Sequence, residues 1–340
     1  MICIGRNCIE KKRMMRKSKT IRIVVLLLML LAIAAGFGIL ALREMAQPQE
    51  ERDTSGASVG RLKTIELDGK TYVERKDITT LLLIGTDITT GTRHFSARSG
   101  GQADFLMFLV IDNGQHKIHQ LAIDRDTMTT IKVLSLLGDR ESEAVLQICL
   151  SHAYGESEEE CCENTVDAVS GLFEGLRIDG YFAVDLENIG RFNHALGGVT
   201  VTLEDDDFAE LSPRLRKGET VTLTDEEAEM LVHTRMTVGG GTNEERMRRQ
   251  TVYLRGATQN LRKLLGEQST AEALFVQMES FVTTNVSRGQ LINLGSRASG
   301  YTIEESVPLQ GDHRIGDDGF VEFHLAEGEI QRWLTETVYE

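Results

Sequence analysis

The stretch TLLLIGTD at residues 80–87 is a continuous apolar run that ends in a glycine, a threonine and an acid. It is the first strand that the sequence predicts. Four more apolar runs follow along the chain, and each is short enough for one strand. Continuous apolar runs of this length are typical of strands that are buried on both faces of a sheet. These runs lie at residues 105–111, 118–123, 180–184 and 198–203.

The segments between these runs carry apolar residues at helical spacing. Thr224 is followed three residues later by Glu227, which is the signature of a capped helix start. Strands that alternate with helices predict an α/β fold, with a three-layer α/β/α domain around a mixed central sheet. We expect helices at residues 160–173, 186–196, 224–232 and 244–265.

Residues Ile23–Leu42 form a run of 20 residues without charge or proline. As a helix this run would be about 30 Å long, which is the thickness of a bilayer core. The 22 residues before it carry eight basic residues and one acid, and this bias places the N-terminus in the cytoplasm. A cleaved signal peptide is the alternative, but Arg43 and Glu44 follow the run without a small-residue cleavage site. We therefore predict a single-pass protein of the cell membrane with an extracellular domain.

These patterns divide the chain into five segments. The order is a cytoplasmic basic arm at 1–22, a transmembrane helix at 23–42, an extracellular stalk and lead-in at 43–77, an α/β domain at 78–265 and a C-terminal helical extension at 266–340. Within the extension we expect a strand near 302–308 and a final helix near 326–337.

The chain is acidic outside its N-terminal region. It has 37 basic and 52 acidic residues, and 28 of the basic and 50 of the acidic ones lie in residues 45–340, which gives that part a net charge of −22. This charge argues against a nucleic-acid binder, which needs a basic face. An anionic substrate would have to be bound by a local group of cations. The five cysteines lack the spacing of a metal site or a disulfide scaffold, so we interpret them as structural or incidental.

Acids stand at the ends of three predicted strands. Asp87 follows the first strand, Asp104 opens the next, and Asp124 and Asp126 flank Arg125 after the third. In open α/β sheets, ligands bind where strands end and loops begin. Carboxylates together with substrate phosphates are the ligands that magnesium prefers. Each acid can also terminate its strand simply as a turn residue, but the three clusters together indicate a divalent-metal phosphate site.

A basic cluster follows a glycine-rich loop at residues 239–241. Arg246 and Arg249 are three residues apart, so they share one face of the predicted helix, and Gln250 borders that face. Asn243 is a candidate N-cap for this helix. A helix N-terminus with arginine side chains is suited to bind a pyrophosphate. The alternative interpretation is a solvated basic helix face.

The order of these motifs resembles the LytR-CpsA-Psr family of cell-envelope proteins over about residues 78–265. The resemblance depends on the combination, because each motif alone is weak. The matching segments are LLLIGTD at 81–87, QADFLMFLVID at 102–112, AIDRDTM at 122–128, ICLSHAYGE at 148–156, RIDGYFAVDLENIGRFNHALGGVTV at 177–201, LTDEEAEMLVHTR at 223–235 and RMRRQ at 246–250.

The resemblance implies a membrane-anchored phosphotransferase that moves a glycopolymer from a polyprenyl-pyrophosphate carrier to peptidoglycan and forms a phosphodiester. An apolar groove between sheet and helices would take the polyprenyl tail. Asp87 and Asp104 would hold Mg²⁺ (or Mn²⁺), or one of them would accept the proton of the sugar hydroxyl. Asp126 would orient an arginine, and Gln250 would donate a hydrogen bond. The arginines that would hold the phosphates are Arg125, Arg235, Arg246 and Arg249.

The chain departs from the family pattern at three positions. Gln102 and His233 stand where the family has arginines, and Asp124 replaces a proline. Arg98 lies four residues before Gln102 and could substitute for the missing arginine, and His233 could donate a hydrogen bond when it is protonated.

Two alternatives stay open, and the loss of two arginines motivates the first of them. One is a non-catalytic envelope protein that binds lipid or glycopolymer, or that regulates as an attenuator. The other is a pyrophosphatase that uses water as nucleophile. Teichoic acid, capsule and other wall polymers are all candidate substrates.

Overall fold

The computed structural model describes residues 64–67, 69–87, 101–134, 141–234, 237–265, 268–298, 300–304 and 308–340. The predicted basic arm and transmembrane helix lie outside the described residues, as do Arg98 and Arg235. In the described part of the chain, no helix has both the length and the apolar character needed to cross a bilayer.

A six-stranded mixed sheet forms the centre of the described fold. Its strands are β3 (Ile78–Asp87), β4 (Gln102–Asp112), β5 (Lys117–Ile123), β8 (Gly180–Asp185), β11 (Val282–Thr284) and β12 (Thr302–Glu304). They lie side by side in the order β11-β8-β3-β4-β5-β12. Strand β3 pairs antiparallel with β4 and parallel with β8. Four two-stranded sheets surround it: β1 (Thr64–Leu67) with β2 (Lys70–Val73), β6 (Met128–Leu134) with β7 (Glu141–Gln147), β9 (Thr200–Thr202) with β10 (Thr220–Thr222), and β13 (Gly311–Ile315) with β14 (Val321–Leu325).

Seven α-helices complete the described fold. They are α1 (Glu158–Leu172), α2 (Ile189–Ala195), α3 (Asp225–His233), α4 (Asn243–Leu265), α5 (Gln268–Met278), α6 (Arg288–Ala298) and α7 (Glu329–Thr337). Short 3-10 helices precede α1 and α2, at Ile148–Ala153 and Leu186–Asn188.

The continuous apolar runs explain why helices cover both faces of the sheet. Leu82 and Phe108 lie in a core that includes residues of α1 and α7. Leu81 and Ile111 point to the opposite face, where they pack with Ala298 of α6. Side chains alternate along a strand, so a strand without polar positions must be buried on both sides. The predicted three-layer arrangement is therefore present in the described residues.

The structure confirms most of the predicted elements and corrects two. The stretch at 198–203 gives the short strand β9, which pairs with β10 outside the central sheet. The cap of α4 is Thr242 rather than Asn243, because Thr242 Oγ1 accepts from the backbone N–H of Glu245, and Glu245 Oε2 accepts from the N–H of Thr242. The predicted capping box of Thr224 and Glu227 is present at the start of α3.

The C-terminal region is an integral part of the sheet rather than only a helical extension. Its strands β11 and β12 form the two edges of the central sheet, by pairing with β8 and β5. The final residue, Glu340, exchanges two backbone hydrogen bonds of 2.8 Å with Val73 of β2. Residues 73–75, which we expected in a lead-in, are therefore paired with the C-terminal residues.

The aromatic side chains of Phe108, Phe173 and Trp333 pack together in this core and allow a direct test of it. Phe108 has no exposed surface and its ring stacks 5.0 Å from that of Phe173, and Trp333, the one tryptophan of the chain, lies 5.8 Å away. We expect Phe108→Ala to lower the free energy of unfolding by about 3–5 kcal/mol because it leaves a cavity. Denaturant titration followed by the fluorescence of Trp333 measures this change. Val145→Ala, at a position that is 62% exposed, should change it by less than about 0.5 kcal/mol, and equal effects of the two substitutions would contradict the packing described.

Candidate active site

A β-bulge at the end of the β3–β4 pair orients the central acid of the site. Gly85 lies opposite Phe105, but Thr86 lies opposite Ala103, so Asp104 is an extra residue in β4. Bulges redirect side chains and are frequent beside functional sites. A Cβ at Gly85 would lie 2.9 Å from the Cβ of Phe105. The glycine of the GTD motif therefore permits the close strand approach next to the bulge.

The buried carboxylate of Asp104 is shared by two arginines. Arg125 Nη1 donates to Asp104 Oδ1, and Arg246 Nη1 donates to Oδ2 over 3.0 Å. The side chains of Asp104 and Arg246 are both 5% exposed. Charge-assisted hydrogen bonds of this kind are among the strong ones in proteins, and losing one partner leaves a costly buried charge. Asp104 thus joins β4, the turn after β5 and helix α4 at one point.

The backbone carbonyl groups of the turn that carries Arg125 all accept hydrogen bonds. Asp124 O accepts from the N–H and the hydroxyl of Thr127, Arg125 O accepts from the N–H of Cys149, and Asp126 O accepts from the N–H of Phe323. Because each of these buried backbone acceptors has a donor, the turn has little freedom to move. The position of Arg125 is therefore set by the fold rather than by a substrate.

Arg125 has three more neighbours besides Asp104. Its Nη2 donates to Gln102 Oε1 and lies 3.5 Å from Cys149 Sγ, and its Nε lies 3.4 Å from Asp126 Oδ1. The role predicted for Asp126, orienting an arginine, is consistent with this contact. Cys149 was not anticipated as a neighbour of the site. Burial raises the pKa of its thiol to about 11, against the opposing effect of Arg125.

The polar residues on the basic face of α4 make two separate sets of contacts. Arg246 contacts Asp104 and donates from Nη2 to Asn243 Oδ1 over 2.9 Å. Arg249 donates to Asp207 Oδ2 over 2.9 Å and to the carbonyl of Thr234 over 2.8 Å. Gln250 Nε2 donates to the carbonyl of Val232 over 3.3 Å. Arg246 therefore belongs to the acid-arginine cluster, whereas Arg249 and Gln250 fix the end of α3 and the residue after it.

An apolar cavity of about 250 Å³ opens beside this cluster. It lies between the central sheet and helices α4, α5 and α6, and this is the groove that the sequence resemblance implied. Gly85 of β3 and Gln250 of α4 belong to both the cavity wall and the motifs of the site. Its apolar wall includes Leu109, Phe182, Leu254, Leu261, Leu291 and Leu294.

The combination of fold, motifs and cavity agrees with the sequence comparison. The sequence model of the LytR_cpsA_psr family matches residues 41–337. The chain belongs to the LytR_cpsA_psr family. The match extends beyond the 78–265 range of the motif resemblance, because the C-terminal strands are part of the same fold.

Solved structures share this LytR-CpsA-Psr fold. TagV of B. subtilis is 21% identical with a TM-score of 0.60, and the match covers 77% of this chain and 98% of TagV. Lin1025 of Listeria innocua is 20% identical with a TM-score of 0.57, covering 78% and 99%. TagT bound to LI-WTA is 20% identical with a TM-score of 0.59, covering 77% and 90%. Among curated protein sequences, none matches this chain.

The remaining residues of the predicted LytR-CpsA-Psr site lie as follows. Asp87 is exposed at the last position of β3, where it is paired across the sheet with Gln102. His233 is exposed at the last position of α3. The positions of Arg98 and Arg235 lie outside the described residues.

The donor set of this LytR-CpsA-Psr site suits a magnesium ion that is shared with a substrate. Asp87 and Asp104 come from neighbouring strands, and magnesium often uses one or two carboxylates together with phosphate oxygens. Among the described residues, no group of three or more His, Cys, Asp or Glu side chains could enclose a metal ion. Both oxygens of Asp104 already accept from guanidinium groups, so the exposed carboxylate of Asp87 would be the main protein ligand.

The raised pKa of Cys149 leads to a test of the site's packing. The thiolate is the reactive form, and it should form in the folded protein only as the pH approaches about 11 rather than the ordinary 9.0. Because the folded state favours the thiol, its contribution to stability is present below pH 9 and is lost as the pH rises through about 11. We expect iodoacetamide at pH 8 to leave Cys149 unmodified in the folded protein and to modify it in guanidinium chloride. Mass spectrometry reads out the site, and rapid modification of folded protein at pH 8 would contradict this environment.

Proposed function

We propose that this chain is a membrane-anchored phosphotransferase that moves a glycopolymer from a polyprenyl-pyrophosphate carrier to peptidoglycan. The observation that carries the proposal is the pair of arginines, Arg125 and Arg246, joined by Asp104, next to an apolar cavity whose wall includes Phe105, the residue after Asp104. A polyprenyl pyrophosphate has both matching parts, since its tail is apolar and its phosphates are anionic. Membership of the LytR-CpsA-Psr family supports the same reaction class.

The guanidinium groups are suited to the chemistry of phosphoryl transfer. Such reactions depend mainly on positioning and on neutralising the charge of the phosphates. The acceptor sugar's hydroxyl oxygen would form a bond to the phosphorus on the glycopolymer side. The bond from that phosphorus to the bridging oxygen would break, and polyprenyl phosphate would leave. Arg125 and Arg246 would hold the phosphate oxygens where negative charge develops.

The proton of the attacking hydroxyl would pass to a carboxylate. Both oxygens of Asp104 accept from guanidinium groups, so we assign Asp104 as the anchor of the arginines. Asp87 is exposed at the end of the neighbouring strand and is the better placed proton acceptor. A general base has to reach the hydroxyl that it deprotonates, and Asp87 lies opposite Gln102, whose side chain accepts from Arg125.

Charge at the site favours a divalent cation. Asp104, Asp124 and Asp126 together offset the charges of Arg125 and Arg246. When bound, Mg²⁺ (or Mn²⁺) would neutralise charge on the phosphates. Asp87 would be its main carboxylate ligand, because both oxygens of Asp104 accept from arginines. Holding the ion and accepting the proton are distinct roles for Asp87. Transfer that stops when divalent cations are removed would indicate the first role, and transfer that continues would indicate the second.

The class of polymer is proposed from the solved relatives. TagT has been solved bound to LI-WTA and to LIIa-WTA, and we propose that this chain binds a lipid-linked wall polymer of the same kind. The run Ile23–Leu42 would anchor the chain in the bilayer, with the catalytic domain on the extracellular side, where peptidoglycan is the acceptor.

A non-catalytic role is the second candidate. Gln102 accepts a hydrogen bond from Arg125 at a position where the family has a further arginine, so the site has one permanent positive charge fewer. A protein of this kind would bind the lipid carrier without turning it over, and would act as a binding or regulatory component of the envelope.

The proposed transfer is tested with Arg125→Ala in the full-length, detergent-solubilised protein. Wild type with Mg²⁺ and peptidoglycan should convert a polyprenyl-pyrophosphate saccharide to polyprenyl phosphate and a peptidoglycan-linked phosphodiester. Arg125→Ala should lower kcat/KM by about 100-fold or more, because it removes a donor that stabilises transition-state charge. Product analysis by mass spectrometry measures both products.

Arg177→Ala is the matched control, because Arg177 is 82% exposed and pairs with Asp179 away from the cluster. It should leave kcat/KM unchanged.

Excess EDTA should stop transfer if Asp87 acts through a metal ion. A free saccharide phosphate formed without acceptor would indicate a pyrophosphatase. A wild type that binds the carrier lipid but never turns it over would replace the transferase proposal with the non-catalytic one.

The cavity is tested by filling it. Thr258 of α4 lines the cavity, so Thr258→Phe should weaken binding of geranylgeranyl pyrophosphate by about tenfold or more through lost burial of the prenyl chain. Binding of inorganic pyrophosphate, which has no tail, should stay unchanged. Gln259→Phe is the control, because Gln259 is the next residue and is exposed. Calorimetric titration measures the affinity of the wild type and of both variants for each ligand, and an equal loss for both ligands in Thr258→Phe would show that the tail binds elsewhere.

A further inference from the structure

The β13–β14 hairpin is docked on the turn that carries Arg125. His313 Nε2 lies 3.0 Å from Asp124 Oδ2, and the ring of His313 packs 4.7 Å from that of Phe323. The backbone N–H of Phe323 donates to Asp126 O over 2.7 Å. Gln147 Nε2 donates to the carbonyl of Val321 over 3.2 Å. The hairpin thus reaches the site both through its backbone and through a side chain.

Asp124 connects this hairpin to the arginines. Its Oδ1 accepts from the N–H of Asp126 over 2.9 Å and from Asn243 Nδ2 over 3.1 Å. Asn243 Oδ1 in turn accepts from Arg246 Nη2 over 2.9 Å. A continuous chain of polar contacts therefore runs from His313 through Asp124, Asn243 and Arg246 to Asp104. Asp124 stands where the family pattern has proline, so this link from the hairpin to the arginines depends on a departure from that pattern.

The side chain of Asp124 is only 10% exposed, so its carboxylate needs donors from the protein. This carboxylate precedes Arg125 in the sequence and is linked to Arg246 through Asn243, so it would have two effects on a phosphate bound by these arginines. It repels the ligand, and it competes for the guanidinium groups. His313 is the group that occupies Oδ2 and draws that oxygen toward the hairpin.

We propose that His313 is a positioning residue that holds the Asp124 carboxylate away from the phosphate-binding face of Arg125 and Arg246. This inference rests on the proposed function only for the identity of the ligand, a polyprenyl pyrophosphate. Without His313, Asp124 Oδ2 loses its donor and turns toward the nearest guanidinium groups. The phosphate site then loses positive potential, although Arg125 and Arg246 are still present.

The test measures binding of geranylgeranyl pyrophosphate to the full-length protein by calorimetry, without any need for turnover. His313→Ala should weaken binding by about tenfold, the loss expected for a charge-assisted contact. His313→Gln should stay near wild type, because its amide can donate to Asp124. The decisive variant is His313→Ala with Asp124→Asn, which should recover most of the affinity because the released group is neutral.

His324→Ala is the matched control on the same hairpin. His324 Nε2 lies 2.7 Å from Glu322 Oε2, so it pairs with a carboxylate outside the site and should leave binding unchanged. If His313 served only to hold the hairpin, the double variant would bind no better than His313→Ala, and the inference would be overturned. Unchanged binding in His313→Ala would overturn it equally.

The two proposals fail in different ways. A wild type that binds the lipid but transfers nothing contradicts the transferase proposal and leaves the inference about His313 to be decided by the variants. A wild type that binds no prenyl pyrophosphate contradicts both.

Discussion

The buried carboxylate of Asp104, shared by two guanidinium groups, is the interaction on which the site depends. It connects the bulged end of β4, the turn after β5 and the first turns of α4, which are far apart in the sequence. A buried charge is tolerated only when its partners stay in place. The same contacts that satisfy Asp104 therefore also fix Arg125 and Arg246 beside the apolar cavity, so that stability and the proposed ligand site depend on one cluster.

The parts of the fold that the sequence predicts are those with strong local signals. The apolar runs of β3 and β4 must be buried on both faces, and Thr224 with Glu227 specifies the start of α3 through a capping box. The three-residue edge strands β11 and β12 have no such signal, because their pairing depends on the neighbouring strand rather than on their own sequence. The strand predicted at 198–203 is similar, because β9 pairs with β10 outside the central sheet and is buried on one face only.

The residues of the site also differ in how far the sequence predicts them. Asp104, Arg125 and Arg246 were predicted as members of one site and are joined directly. Arg249 shares the helix face of Arg246, as its spacing requires, but its partners Asp207 and Thr234 come from loops whose course cannot be read from periodicity. Cys149 and His313 reach the site only through tertiary packing, since neither lies in a motif that specifies a contact with Arg125 or Asp124. The bulge that orients Asp104 likewise has no signature in the sequence beyond the glycine opposite it.

We propose that one cluster of arginines and one cavity bind the two parts of a single lipid. A crystal structure of the protein with a bound polyprenyl pyrophosphate is the strongest test of this proposal. We expect phosphate oxygens within hydrogen-bond distance of Arg125 and Arg246, and the prenyl chain between the central sheet and helix α4. Phosphates bound away from these arginines, or a prenyl chain outside the cavity, would contradict it.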